Sequence, residues 1–349
     1  MPLPSTALGN SISTKTPTII DTRWIVSYAA GIGDCNPYYV DTTRGKAQMR
    51  STNDFHVEGI QGGGVIAHPV FVWCVEWPML WLRSSELYGE RMKLLPNERM
   101  GGGAVHYGED IIIHRPIAAD DRIHTKMTLI QMSQRRQGTT TTYKFEHKVA
   151  GQTVVESWNT AYWRGVALDS DSDGNSNTEA LTLHAEMPPP PPPSFSPPLA
   201  TSTASTYPPE VLHQVSLKIA ALEGVVYSEC SRIWNPIHSD KATALASGLS
   251  DTILHGTATL AKCVTELVKL YMDNRPWKVR RIIVGRFGAA ITMPSTPVLR
   301  VLKISPWLNN TMAVHFELIN DEGMSAIQGG IIVYDHIEEG DNMNYKSML

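Results

Sequence analysis

Two stretches of the chain, one on each side of a proline-rich break, carry the same succession of hydrophobic and polar positions. In the second, Thr257 to Met272 places Leu260, Val264, Leu267 and Leu270 at three- and four-residue steps, the period of a helix with one buried face. Beyond it, residues 278–287, 298–304, 311–318 and 326–334 are enriched in β-branched and apolar side chains and separated by Pro, Gly and Asn/Asp turns, which predicts strands. The first stretch repeats this order. The apolar run 65–82 predicts its helix, and residues 109–117, 122–131, 139–148 and 153–163 predict its strands. Phe71, Trp73, Trp77, Met79, Leu80 and Trp81 crowd that run; most are expected in the core, with some walling a roomy aromatic cavity. A helix laid against an antiparallel sheet in each half makes the fold class α+β.

Between Ala167 and Pro208 an acidic Ser/Asp/Gly/Asn stretch leads into six consecutive prolines, Pro188 to Pro193, and then Ser/Thr/Pro again. Polyproline is stiff and extended and the flanks are too polar to bury, so the segment is expected to be a solvated spacer. The expected division is a flexible arm over 1–18, a first unit over 19–166, a linker over 167–208, a second unit over 209–338 and a tail over 339–349. A length of 349 residues suffices for two such units.

A net charge of -4, with both signs interspersed, gives no reason to expect nucleic acid or an anionic membrane as partner. The run 65–82 is broken by His68, Pro69, Glu76 and Pro78, so no membrane span is expected. Residues 1–18 lack the basic start and apolar centre of a secretory signal. Cys35, Cys74, Cys230 and Cys263 show no metal-ligand spacing, which fits reduced thiols and no metal site. A cytoplasmic protein is expected; the terminal Ser347-Met348-Leu349 is similar to a peroxisomal address and leaves that compartment open.

The two halves also share their polar motifs. The first has Gly33-Asp34-Cys35-Asn36-Pro37-Tyr38-Tyr39, then Ala67-His68-Pro69, then His114-Arg115-Pro116. The second has Trp234-Asn235-Pro236-Ile237-His238, then Leu254-His255-Gly256, then Gly285-Arg286-Phe287. The first copy is spaced more widely, with insertions around Arg44 to Gly63 and between Ser84 and Gly103.

The second set resembles the MaoC-like (R)-specific enoyl-thioester hydratases and dehydratases, in which a Ser-Gly-Asp-x-Asn-Pro-Ile-His loop precedes a His-Gly helix start. The first set is similar to the dehydratase-like domain that precedes MaoC-like domains in relatives. The resemblance implies a double hot-dog fold, each half a long central helix wrapped by an antiparallel sheet. It further implies a hydro-lyase on an enoyl or 3-hydroxyacyl thioester, carried by CoA or a carrier, or on a polyketide-derived intermediate. No cofactor is implied, and a homodimer is compatible with the family. There the Asp and His hold a water and move protons to and from Cα and the β-oxygen, while backbone N–H groups at the helix start polarise the carbonyl.

Both copies depart from that pattern. In the second, Asn235 and His238 match, but Ile233 stands where the Asp is expected and Arg232 where a Gly is expected. In the first, Asp34 and Asn36 match, but Tyr39 stands where the His is expected. Isoleucine can neither accept a proton nor hold a water. Three readings follow: another acid, Glu229 or a carboxylate of the first half, completes the pair; the pocket runs an isomerisation, cyclisation or pericyclic step needing one acid or base; or the chain is a non-catalytic binding member. The catalytic candidates are therefore His238, Asn235 and Asp34, and the substrate-binding candidates His255, Gly256, Tyr39, Asn36 and Trp234. A composite Asp34–His238 site is a further alternative. Each has a plainer role: Asn235 and Asp34 as turn formers, Tyr39 as packing, His255 as a buried helix start. Gly62 to Gly64 and Gly101 to Gly103 read as loops at a pocket mouth, and Arg115 and Arg286 as loop braces or phosphate contacts.

Overall fold

The computed structural model describes residues 2–43, 64–88, 104–169, 180–192 and 211–336. The strands are β1 (Ser11–Ser13), β2 (Thr18–Ile19), β3 (Ala104–Ile113), β4 (Arg122–Arg135), β5 (Gly138–Val149), β6 (Gln152–Arg164), β7 (Leu181–Thr182), β8 (His213–Ser216), β9 (Val279–Phe287), β10 (Val298–Pro306), β11 (Thr311–Ile319) and β12 (Ser325–Asp335). They form one sheet in the order β1-β4-β5-β6-β3-β9-β12-β11-β10-β8, with β2 and β7 also on β4. The runs β4-β5-β6-β3 and β9-β12-β11-β10 are the same four-strand pattern taken in opposite directions, as a duplicated unit joined edge to edge requires.

The join is the antiparallel β3–β9 pair, in which Glu109 faces Val284 and Ile112 faces Arg281. There Arg281 donates Nε–H and an Nη2–H to the two oxygens of Asp110 at 2.8 and 2.6 Å, so a buried charge pair crosses the seam. The core is also shared: one hydrophobic cluster runs from Trp24, Tyr28 and Phe71 in the first half to Leu260, Val264 and Phe316 in the second. The two expected units are thus halves of a single packed body.

The second half's central helix, Gly256–Tyr271, lies where its periodicity predicts, with Leu260, Val264 and Leu267 fully buried; Leu270, expected on the same face, is exposed. Burying each of those three is worth roughly 1.5–3 kcal/mol. The first half's counterpart is broken. A short α-helix, Val72–Pro78, passes into a wider π-type turn over Met79–Arg83 and then a helix over Ser84–Tyr88, because Pro78 has no N–H to continue the ladder.

A preceding helix in each half, Thr22–Ile32 and Glu223–Ser231, escaped the periodicity reading; the two pack on each other through Tyr28 and Tyr227. Asp21 caps the first by accepting from the Trp24 N–H at 2.7 Å, and Gly33 closes it at φ 73°. Arg232 closes the second in the same left-handed conformation, φ 66°, and its guanidinium lies 4.0 Å over the Trp24 ring. The glycine missing there thus costs backbone strain that a cation–π contact offsets.

Parts of the expected flexible arm and solvated spacer, among the described residues, pack against the body instead. Leu3 and Ala7 are buried and β1 pairs with β4. Residues 181–189 run along the sheet: β7 joins β4, Glu186 meets Lys144 at 2.9 Å and its carbonyl accepts from the Trp158 indole at 2.7 Å. The Pro189 carbonyl accepts from Arg281 at 2.7 Å. A polar, proline-rich composition says that a segment lacks its own core, not that it lacks a surface to lie on. The first insertion, the second beyond Tyr88, most of the two triple-glycine loops, the rest of the linker and the terminal Ser-Met-Leu lie outside the described residues.

Candidate active site

The loop after each short helix carries the polar motif, and the two loops are built alike. Asn36 and Asn235 each accept from the N–H two residues on, Tyr38 at 3.0 Å and Ile237 at 3.4 Å, opening a turn at the following proline. Each next aromatic or histidine meets the histidine at the start of the central helix: Tyr39 with His68, ring centroids 5.4 Å apart, and His238 with His255, stacked at 3.6 Å. What lies in front of them differs. Around His68 the cavity is only about 10 Å³, whereas His238, His255, Asn235, Gly256 and Ile233 line one of about 1030 Å³ that extends between the halves to Trp73, His106 and Tyr107.

In the filled copy the carboxylate is structural. Asp34 is buried, accepting from the Asn36 N–H at 2.9 Å and from the Thr265 hydroxyl, on the other half's central helix, at 2.8 Å. Asn36 Nδ2 donates to the Asn274 carbonyl at 2.9 Å. Tyr39 is fully buried, and burial together with the nearby Asp34 pushes its phenol well above its ordinary range. None of the three lines the large cavity, so the structure does not bring Asp34 to His238, and the substrate-binding roles expected for Asn36 and Tyr39 go with it.

In the open copy His238 Nδ1 lies 2.7 Å from the Ile253 carbonyl, which can only accept, so Nδ1 carries the proton and Nε2 keeps its lone pair. Burial lowers the imidazole to about 4, which keeps it neutral near pH 7. His255 Nε2 approaches the Ile233 carbonyl at 3.2 Å and must donate to it; its Nδ1 is buried without a hydrogen-bond partner among the described residues. Burial, and then the neighbouring His238, drive its pKa well below the usual value. Gly256 begins the 16-residue helix, whose first turn lines the cavity through Gly256, Thr257 and Thr259 and leaves its first N–H groups without intrahelical partners; a Cβ at Gly256 would stand 3.3 Å from the Phe287 ring.

Ile233 is buried in the wall where a carboxylate was expected, and among the described lining residues there is no Asp or Glu. Glu229 is exposed and lines nothing, so it is not the substitute acid. Trp234, expected to bind substrate, is 55% exposed and outside the lining. Arg115 braces its loop through paired contacts to Asp121 at 2.7 and 2.9 Å, while Arg286 lines the cavity with its guanidinium 5.7 Å from the Tyr107 ring. Sequence reasoning missed His68 and His106; the first was legible as the counterpart of His255, the second had no signal in the repeat. Among the described residues no group of three or more His, Cys, Asp and Glu could hold a metal ion, and no helix is long and apolar enough to cross a membrane.

Comparison with known proteins agrees with both halves. Residues 6–157 match the FAS1-like dehydratase domain region and residues 204–304 the MaoC-like domain. The fold is similar to a MaoC-like dehydratase from Phytophthora capsici, at 16% identity and a TM-score of 0.68, over 96% of this chain and 97% of that one. It is similar to the peroxisomal multifunctional enzyme type 2 of Drosophila melanogaster, at 17% identity and a TM-score of 0.59, over 93% of this chain and 48% of that one. A Mycobacterium tuberculosis protein described as a double hotdog fold matches at 11% identity and a TM-score of 0.56, over 95% and 96%. No curated protein matches the sequence.

Proposed function

Since the chain is a MaoC-like double hot-dog protein with a FAS1-like dehydratase region ahead of its MaoC-like domain, we propose that it is a hydro-lyase acting on an enoyl or 3-hydroxyacyl thioester, or a polyketide-derived equivalent, at His238. The observation that carries this is the His238 tautomer: Nδ1–H is committed to the Ile253 carbonyl, leaving a neutral Nε2 base on a cavity of about 1030 Å³. One imidazole can serve both proton transfers in turn. Nε2 takes a proton from water as the oxygen bonds to Cβ and the π electrons move to the thioester oxygen; the same proton then returns to Cα as the carbonyl re-forms. The free N–H groups at the Gly256 helix start suit the transient oxyanion.

The absence of a carboxylate from the described lining favours a second reading, a double-bond isomerisation on the same scaffold, which needs a single base to carry one proton from one carbon to another. A non-catalytic role fits less well, since an open cavity with an imidazole nitrogen unpaired among the described residues has no packing purpose.

Loss of enoyl absorbance from crotonyl-CoA and longer trans-2-enoyl-CoA esters, followed for wild type, His238→Ala and Ile233→Asp, separates these. Hydration by the wild type that His238→Ala lowers by about 10²–10⁴-fold supports the hydro-lyase. A silent wild type that Ile233→Asp awakens overturns it in favour of the isomerase.

A further inference from the structure

The far wall of the cavity holds a second imidazole–carboxyl pair, unrelated to either loop motif. His106, on β3, lines the cavity with 18% of its side chain accessible, and its Nε2 lies 3.0 Å from Oε2 of Glu109, whose side chain is fully buried. Asn159, also in the wall, donates to the same Glu109 oxygen at 3.3 Å, and Oε1 has no hydrogen-bond partner among the described residues. The imidazole is held between two rings, Trp73 at 4.4 Å and Phe287 at 4.1 Å between centroids, and Trp77 and Trp81, stacked at 5.0 Å, line the wall beside them.

Burial disfavours the charged form of both partners. Burial lowers His106 to about 3, and burial followed by the nearby Glu76 and Asp110 raises Glu109 well above its ordinary value. Glu109 Oε2 and His106 Nε2 thus share one hydrogen bond between uncharged partners, and the wall offers hydrogen bonding without net charge. An acyl tunnel has no use for such a pair. Two apolar side chains would fill the same space without desolvating a carboxyl and an imidazole.

We infer that His106, set by Glu109 and flanked by Trp73 and Phe287, is a binding subsite for an uncharged oxygen function, a hydroxyl or carbonyl, on a flat unsaturated or ring-bearing part of the ligand. With thioester chemistry at His238, a step that rests on the function proposed above, the substrate is an oxygenated unsaturated acyl thioester rather than a plain fatty acyl one.

The test uses the full chain and probes that lack a thioester: 2-naphthol, 2-methylnaphthalene and 2-naphthoate, with affinities from calorimetry and saturation-transfer NMR. We expect 2-naphthol to bind about tenfold or more tighter than 2-methylnaphthalene, the worth of one hydrogen bond in a dry site. His106→Phe, which keeps an aromatic ring between Trp73 and Phe287, should erase that preference, as should the paired change His106→Phe with Glu109→Leu, which leaves no buried carboxyl behind. Glu109→Gln, which leaves an uncharged hydrogen-bonding partner for Nε2, should keep it. Equal binding of the two uncharged probes, a naphthol preference that survives both His106 variants, or 2-naphthoate binding best through His106 would each overturn the assignment. Enoyl-CoA hydration is read separately, so a naphthol preference beside inactivity on every thioester would sink the proposed function and leave the subsite standing.

Discussion

Asp34→Ala tests whether the first loop's carboxylate is part of the chemistry or part of the frame. In the structure it accepts the Asn36 N–H at 2.9 Å and the Thr265 hydroxyl at 2.8 Å in a buried position, so its removal takes away two bonds to a buried carboxyl. Bonds of that kind are worth about 1.5–3 kcal/mol each. Thr265 can recover part of its loss by turning to His68 Nε2, 3.4 Å away, which brings the expected cost to about 3 kcal/mol. At the roughly 2–4 °C per kcal/mol of mid-sized domains, the melting temperature should fall by about 6–12 °C. Asp34→Asn keeps an oxygen for the Asn36 N–H and should cost about 1 kcal/mol. In both variants kcat/KM of the folded fraction should stay within about twofold of wild type, because Asp34 does not line the large cavity. Thermal melts followed by circular dichroism, run beside an enoyl-CoA hydration assay, read the two quantities separately. A variant that melts like the wild type yet has lost about a hundredfold or more in activity, the size of a general acid–base contribution, would show the reasoning to be wrong.

Three further outcomes are expected. Because burial holds folded His238 at about 4, below the roughly 6.5 of an unfolded histidine, the unfolded state binds more protons between those values. The stability contributed by neutral His238 is therefore complete above about pH 6.5 and lost as the pH falls toward 4, and kcat/KM should show its acid limb near 4 in a pH–rate profile rather than near 6.5. Gly256→Ala puts a Cβ 3.3 Å from the Phe287 ring; we expect a several-fold rise in KM with melting changed by less than about 1 kcal/mol, since alanine suits a helix start at least as well. Arg281→Ala leaves Asp110 unpaired at the seam and frees the Pro189 carbonyl, which should cost about 3 kcal/mol in urea unfolding and speed proteolysis within residues 180–192.

The strands and the second half's helix were legible because their signal is local: the helical repeat ends within a residue of Gly256–Tyr271, and the strand repeats find every long strand, although β3 begins five residues earlier and β4 runs four residues further than its repeat. Thr22–Ile32 and Glu223–Ser231 were not, because each buries its face partly against the other, a partner about two hundred residues away that no local period encodes. The same limit governed the site. The repeat in the motifs aligned His238 with Tyr39 and His255 with His68, but it could not show that one pair faces a cavity and the other packed side chains. Nor could it find His106 and Glu109, which sit on a strand and acquire meaning only through Asn159 and Phe287, brought beside them by β6 and β9.

The two copies put different structural demands on the same loop motif. Thr265 on the second half's central helix holds Asp34 of the first, and Asn36 reaches across to Asn274, so the first loop has become a clamp between halves. A clamp needs the carboxylate and not the histidine, and Tyr39 packs fully buried beside His68, where the cavity is only about 10 Å³. In the open copy burial keeps His238 neutral near pH 7, and a carboxylate at position 233 would raise its pKa and compete for its proton. Ile233 keeps that imidazole in an apolar wall, with only its backbone carbonyl turned to His255. On this argument Ile233→Asp should move the acid limb of the pH–rate profile upward from about 4 toward the ordinary histidine value, and an unmoved limb would mean that His238 is not the group the profile reports.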